Sequence, residues 1–285
     1  MKIGMMIPYR QERRERLRFL SLTSIQLRLG PGFPLPMIDS DLSEPKAAIA
    51  ELRGEGIAIP ALGFYRNMLD MDEEVKRQDW RCLSNVIRLA KETSIPVIGV
   101  FAGREPELSL EDNLAKFADT WASSIQMAED AGVTLAFENC TMYRDYPIRG
   151  INMTYCPAAY DFIFKEFPTS AVAMEYDPSH CLKQHIDPLR FLDQYIDRVA
   201  HVHLKDHQRD PELEHRYGCF DTRVSTDRFP GFGQIDFPGI FRRLKDVGYQ
   251  GGMTIEAERD PLAHDEESTR TLLRQSIDYL NKISV

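Results

Sequence analysis

The chain has 285 residues, 43% of them hydrophobic and 28% charged, with a net charge of −9. That length suits one α/β barrel or two smaller domains, and the composition is that of an ordinary globular protein. The acidic balance argues against a surface built to hold nucleic acid, because phosphate contacts need Lys and Arg. No apolar run approaches the roughly 18 residues of a membrane-spanning helix.

The opening segment, MKIGMMIPYRQERRERL, lacks the apolar stretch and small-residue cleavage site of a signal peptide. Cys82, Cys140, Cys156, Cys181 and Cys219 show no CxxC spacing and read as free thiols. A cytoplasmic protein is therefore expected.

Short apolar runs appear in chain order at 2–7, 24–29, 57–64, 96–102, 133–139, 172–178, 199–205 and 251–257. Between them lie amphipathic stretches at 42–54, 75–93, 109–131, 156–167, 187–198, 236–247 and 265–283. The first crossover, 8–23, is short and basic and carries the weakest helical pattern. Ser109 followed by Glu111 and Asp112 predicts an N-cap, Gly132 a C-terminal stop, and Ser43 before Pro45 another helix start. Strands alternating with helices imply parallel strands joined by crossovers. Eight such units predict a single (β/α)8 TIM barrel over residues 1–285. The alternative is an open doubly wound sheet. It usually opens with a Gly-rich phosphate turn, and IPYRQERR is not one. The longest irregular piece is 206–235, a length that points to function.

In this barrel, catalytic groups sit at the carboxyl ends of strands. The fifth strand ends in FEN, giving Glu138. The sixth ends in YDPSH, giving Asp177 and His180. The seventh lies within AHVHLKDHQRD, which holds three of the seven histidines and gives His203. The eighth ends in TIEAE, giving Glu256. Side chains alternate between the faces of a strand, so His201, His203 and Lys205 share one face and Val202 and Leu204 the other. A lone buried His is more often a hydrogen-bonded core residue than a ligand, and a lone Glu at a strand end is usually solvated. Three carboxylates and an imidazole converging at one rim need a compensating charge, which a divalent cation supplies. The donors are mostly oxygen and suit Mn²⁺, Mg²⁺ or Co²⁺, with Zn²⁺ acceptable. His201 lies one layer deeper, level with Glu175, and is expected to pair with it. His185, His207 and His215 read as solvated surface, and His264 is given no role.

The ordered set FEN, DPSH, HVHLKD, GFGQIDF and GYQGGMTIEAE resembles the xylose isomerase-like TIM barrels along essentially the whole chain. That superfamily includes sugar isomerases and epimerases, inosose dehydratases and an apurinic endonuclease branch. The resemblance implies that Glu138, Asp177, His203 and Glu256 hold one divalent metal ion, and that Glu138 and Glu256 are also the acid–base pair. It implies substrate contacts for His180 and for Arg209, six residues after His203. Lys205 either donates to a substrate oxygen or pairs with Asp206 or another acidic neighbour. Ketose 3-epimerases carry a further Glu six residues after the first ligand; here that place is Arg144, which either meets an acid or phosphate group or pairs with Asp145. Tyr9, Tyr65, Arg66 and Arg104 follow strands one, three and four and are candidates to line the mouth.

The endonuclease branch adds histidines after the third and fourth strands and an Asp-x-His after the seventh. Here those segments read ALGFYR, VFAGRE and DRF (Asp227–Phe229), so three ligands are missing. The expected activity is isomerisation or epimerisation of a sugar, keto-sugar or polyol derivative through an enediolate. A lyase or dehydratase that expels a β-substituent is the alternative, and a non-catalytic metal-binding subunit the third reading. The expected partner is a small sugar-like molecule rather than nucleic acid or membrane, with a homodimer or homotetramer in keeping with the relatives.

Overall fold

The computed structural model describes residues 2–9, 11–30, 33, 41–140, 142, 150–256 and 260–284. Eight parallel strands close into a barrel: β1 (Ile3–Pro8), β2 (Ser24–Arg28), β3 (Ala58–Phe64), β4 (Val97–Val100), β5 (Thr134–Glu138), β6 (Val172–Tyr176), β7 (Val199–Leu204) and β10 (Gly252–Ile255). Closure is made by β1 against β10, with Ile3, Gly4 and Met5 level with Met253, Thr254 and Ile255. The (β/α)8 architecture read from the alternating pattern is the one observed.

The crossover helices are α1 (Gln11–Leu20), α2 (Ser43–Gly54), α3 (Glu73–Glu92), α4 (Leu110–Ala131), α5 (Pro157–Glu166), α6 (Pro178–Lys183), α7 (Pro188–Tyr195), α8 (Pro211–Tyr217), α9 (Phe237–Asp246) and α10 (Glu266–Ile283). Local chemistry explains their ends. The Ser109 hydroxyl accepts from the Asp112 N–H at 3.0 Å, and Gly132 closes α4 in the left-handed region at φ 67°. α2 starts at Ser43 with Pro45 in its first turn, as the Ser43 and Pro45 pairing predicts, and Asp41 accepts from the Ser43 N–H at 3.0 Å. The weakly patterned first crossover is helical nonetheless, because Leu17 and Leu20 bury against the barrel wall. Trp121 anchors α4 between Phe117 and Phe137, with its indole N–H donating to the Ala102 carbonyl at 2.9 Å.

The segment 206–235, expected to be irregular, contains a hairpin. β8 (Asp206–Arg209) pairs antiparallel with β9 (Ser225–Arg228), and α8 fills the connection. Its composition is that of a loop, and the order comes from one buried carboxylate. Asp206 accepts from the backbone N–H groups of Gly231, Gly233 and Ile235 at 2.9, 2.9 and 3.0 Å. The hairpin stands over the carboxyl end of the barrel directly after β7.

Candidate metal centre at the carboxyl ends of the strands

Four adjacent strands each deliver one ligand-type side chain. Glu138 closes β5, Asp177 follows β6, His203 lies in β7 and Glu256 follows β10. Neighbouring strand ends are locked together. The Asn139 amide donates to the Asp177 carbonyl at 2.8 Å, and the Asp177 N–H returns a bond to Asn139 Oδ1 at 2.7 Å. The Glu138 carbonyl accepts from Asn152 Nδ2 at 3.0 Å and from the Thr154 hydroxyl at 2.7 Å. With backbones fixed this way, one ligand atom from each of the four residues lies within 4.8 Å of every other, and all four residues are buried.

His203 Nδ1 sits 2.9 Å from Glu138 Oε1, 3.3 Å from Glu256 Oε2 and 4.0 Å from Asp177 Oδ2. Lys205 Nζ approaches Glu256 Oε1 at 3.4 Å, whereas Asp206 is committed to backbone amides. His180 Nε2 lies 3.4 Å from Asp177 Oδ2 and 4.0 Å from Glu138 Oε1.

Electrostatics divide the carboxylates. Burial raises the Glu138 carboxyl to about 8, against the partial relief of His203, and burial raises Asp177 to about 7. Burial also works to raise Glu256, but the Lys205 ammonium and His203 more than offset it and hold that carboxyl well below the usual range. Lys205 and His203 are themselves held up by the surrounding carboxylates despite their desolvation. Burial keeps His180 far below its ordinary value, so it is neutral.

Beneath this layer lies a second polar layer. Glu175 and His201 are register partners on β6 and β7, and the Glu175 carboxylate is 2.9 Å from His201 Nδ1, as their level in the strands predicts. Burial holds the His201 imidazole below its ordinary value, so this is a neutral ring close to a carboxylate rather than an ion pair. Tyr65 donates to Glu175 Oε2 at 2.8 Å, and the Gln26 amide donates to Glu175 Oε1 at 2.5 Å. Burial works to raise Glu175, but the His203 charge and the His201 contact outweigh it and bring it to about 2. Space for this carboxylate comes from Gly99 on β4, where a Cβ would stand 2.3 Å from Glu175 Oε2.

The donor set fits a divalent cation. Asp177 Oδ2 and Glu256 Oε2 are buried with no hydrogen-bond donor directed at them, a costly arrangement for carboxylate oxygens unless a cation meets them. Three carboxylates and one imidazole form a hard, mostly oxygen site. Glu138, Asp177, His203 Nδ1 and Glu256 would hold the ion. A buried Glu/His/Asp cluster consistent with a divalent metal site is thus present.

The structure gathers six of the sequence candidates: the four ligand-type residues, His180 and Lys205. Arg209 lies elsewhere, in a two-point contact with Glu214 at 2.7 Å for both bonds. Arg144 lies outside the described residues. Of the mouth candidates, Tyr65 reaches the polar floor, whereas Tyr9 donates to Glu51 at 2.7 Å, Arg66 faces Asp79 at 3.8 Å and Arg104 lies over the Tyr155 ring. His207 is not solvated surface. It is 1% exposed and its Nδ1 is 2.8 Å from Asp227 Oδ1 across the hairpin. His185 occupies the turn after α6 at φ 61° and is exposed, as are His215 and His264. Gln26 is the contributor to the floor that sequence reasoning missed. For Gln26 the available signal was a single amide in an otherwise apolar strand, SIQLRL.

Comparison with known proteins agrees with this geometry. The xylose isomerase-like TIM barrel family model matches residues 17–283. An inosose dehydratase from Geobacillus kaustophilus (strain HTA426) is 38% identical over 113 residues, which is 38% of this chain and 37% of that protein. The matched stretch thus spans little more than a third of that relative's length. A xylose isomerase domain protein from Planctomyces limnophilus superposes with a TM-score of 0.73 at 16% identity, covering 99% of this chain and 96% of that one. A 3-keto-D-glucoside 4-epimerase from E. coli superposes with a TM-score of 0.70 at 21% identity, covering 99% of both chains. At these identities the superpositions establish the shared fold.

Proposed function

The chain belongs to the xylose isomerase-like TIM barrel family, and on that premise we propose that it is a divalent-metal-dependent isomerase or epimerase of a sugar, keto-sugar or polyol derivative. One observation carries the reading: Glu138 and Glu256, from strands separated by β6 and β7, converge on His203 Nδ1 at 2.9 and 3.3 Å. Two carboxylates arriving from opposite sides can address the two faces of one substrate carbon.

A divalent ion held by Glu138, Asp177, His203 and Glu256, with Mn²⁺ the proposed one because the site mixes carboxylate oxygens with an imidazole, would supply Lewis-acid polarisation of a carbonyl and its neighbouring hydroxyl. One of Glu138 and Glu256 takes the proton from the carbon beside the carbonyl, and the electron pair of that C–H bond passes toward the carbonyl oxygen. The other glutamate returns a proton on the opposite face, which inverts that carbon; return to the former carbonyl carbon, with the neighbouring hydroxyl's proton passing to the former carbonyl oxygen, isomerises the sugar instead. Lys205 donates to a substrate oxygen, where the developing negative charge strengthens the bond. His180, neutral and buried beside Asp177, contacts a substrate hydroxyl. Arg209 reaches substrate by exchanging Glu214 for it, and Arg144 is the proposed contact for an acidic substituent.

A second reading has its own support in the 38% identity to an inosose dehydratase over 113 residues. Removal of the same proton followed by loss of a β-hydroxyl gives a dehydration. Proton NMR of ketoses, 3-keto-sugars and inososes incubated with the Mn²⁺-loaded protein in D₂O separates the two. Deuterium entering beside the carbonyl with every oxygen retained is the expected result. Exchange with loss of water moves the assignment to the dehydratase. Absence of exchange with every compound, despite stoichiometric metal, overturns both.

A further inference from the structure

We propose that Gln26 is a positioning residue that keeps a proton on Nε2 of His203, so that Nδ1 is the nitrogen presented to the carboxylate cluster. The geometry allows one arrangement of hydrogens. Gln26 Nε2 lies 2.5 Å from Glu175 Oε1 and 2.8 Å from the Tyr65 hydroxyl oxygen. The Tyr65 proton is committed to Glu175 Oε2 at 2.8 Å. A carboxylate oxygen and a hydroxyl whose proton is already committed are both acceptors, so the amide must turn its NH₂ toward them. That orientation aims Gln26 Oε1 at His203 Nε2, 2.8 Å away. An amide oxygen only accepts, so His203 Nε2 must carry hydrogen. Gln26, Glu175 and His203 are each 0% exposed, which leaves water no place to supply an alternative partner.

The chain of contacts therefore runs from Glu175 through the Gln26 amide to the far side of the imidazole. It fixes the tilt of the ring as well as its proton, and it links β2, β3, β6 and β7 across the barrel. The placement of the proton stands on hydrogen-bond geometry alone. Its consequence for affinity rests on the reading of Glu138, Asp177, His203 and Glu256 as a metal centre. Such outer contacts to a ligating imidazole are worth about 10–100-fold in metal affinity.

The test uses the full chain labelled with ¹⁵N-histidine, both metal-free and loaded with Zn²⁺, with the His203 signals assigned by their loss in His203→Ala. A His203 Nε2–H proton that exchanges slowly with water in both states is expected. Gln26→Met preserves length and packing but removes the acceptor 2.8 Å from Nε2, leaving only the longer approach of Glu175 Oε1 at 3.3 Å. It should exchange the Nε2–H proton measurably faster than the wild type and weaken Zn²⁺ binding by about tenfold or more in calorimetric titration. Gln26→Glu alone sets two carboxylates side by side and should weaken binding further. Combining it with Glu175→Gln restores a donor facing an acceptor, and should recover most of the affinity and the protected proton. A role in packing alone predicts equal Nε2–H protection and equal affinity in Gln26→Met, and that result overturns the proposal. So does a double variant no better than Gln26→Glu, or, should the variants not fold, a wild-type His203 whose Nε2 is bare. Protected Nε2–H with no Zn²⁺ binding in the wild type would instead sink the metal centre and leave the proton placement standing.

Discussion

His203 is the residue on which both polar layers meet: its Nδ1 faces three carboxylates and its Nε2 faces the Gln26 amide. Replacing it by Ala should sharply lower metal content by elemental analysis while far-ultraviolet circular dichroism stays that of a barrel. Full metal content would transfer the ligand role to His201. Glu256→Gln removes one negative oxygen at nearly constant volume. It should abolish turnover and hydrogen exchange with the fold retained, and unchanged activity would remove Glu256 from the chemistry. Gly99→Ala tests the floor, because the added methyl must displace the Glu175 carboxylate it would strike at 2.3 Å. Overpacking of this kind costs about 1–3 kcal/mol, read from a lowered urea midpoint. At this scale the sequence was informative about in and out but not about who meets whom. Strand alternation places His201, His203 and Lys205 on one face without reference to any other strand. Gln26 meets His203 across 177 positions of chain, and nothing local in SIQLRL encodes that meeting.

The hairpin of β8 and β9 shows what an element can conceal. Its sequence is polar and rich in turn residues, so it reads as loop, and His207 reads as solvated. Its order depends on Asp206, whose two oxygens satisfy three backbone N–H groups from residues 25 to 29 positions away, that of Ile235 buried. A single carboxylate holding a distant turn leaves no periodic signal. Asp260 plays the same part next door, accepting from the Phe229 N–H at 2.8 Å and from Arg228 at 3.1 Å. Loss of Asp206 leaves the buried Ile235 N–H unpaired, at about 1–3 kcal/mol, and frees the two glycine N–H groups that hold the turn. Asp206→Ala should therefore open segment 206–235 to limited proteolysis while the barrel's cooperative thermal transition survives at lower temperature. Cleavage no faster than in the wild type would mean that β9 and α8 are held by other contacts.

For the whole molecule, the cluster couples folding, protons and metal. In the metal-free chain Glu138 rises from 4.5 to about 8 and Asp177 from 3.8 to about 7. The native state therefore binds more protons than the unfolded chain from about pH 4 to 8. Stability supplied by these two groups is complete below their unfolded values and is lost as pH rises through the folded ones. Glu175 works in the opposite sense, because its folded value is depressed to about 2 and its contribution is lost only as pH falls through that range. The metal-free barrel should therefore melt at a lower temperature at pH 8.5 than at pH 6. A divalent cation competes with the same protons, so binding releases them and affinity rises by about tenfold per pH unit for each proton displaced. The gain in melting temperature on adding Mn²⁺ should accordingly grow between pH 6 and 8.5, and calorimetry in buffers of different ionisation heat should register proton release. A gain independent of pH, with no proton release, would mean that both carboxyls are already ionised in the metal-free fold. The cation would then stabilise the barrel by neutralising charge rather than by replacing protons.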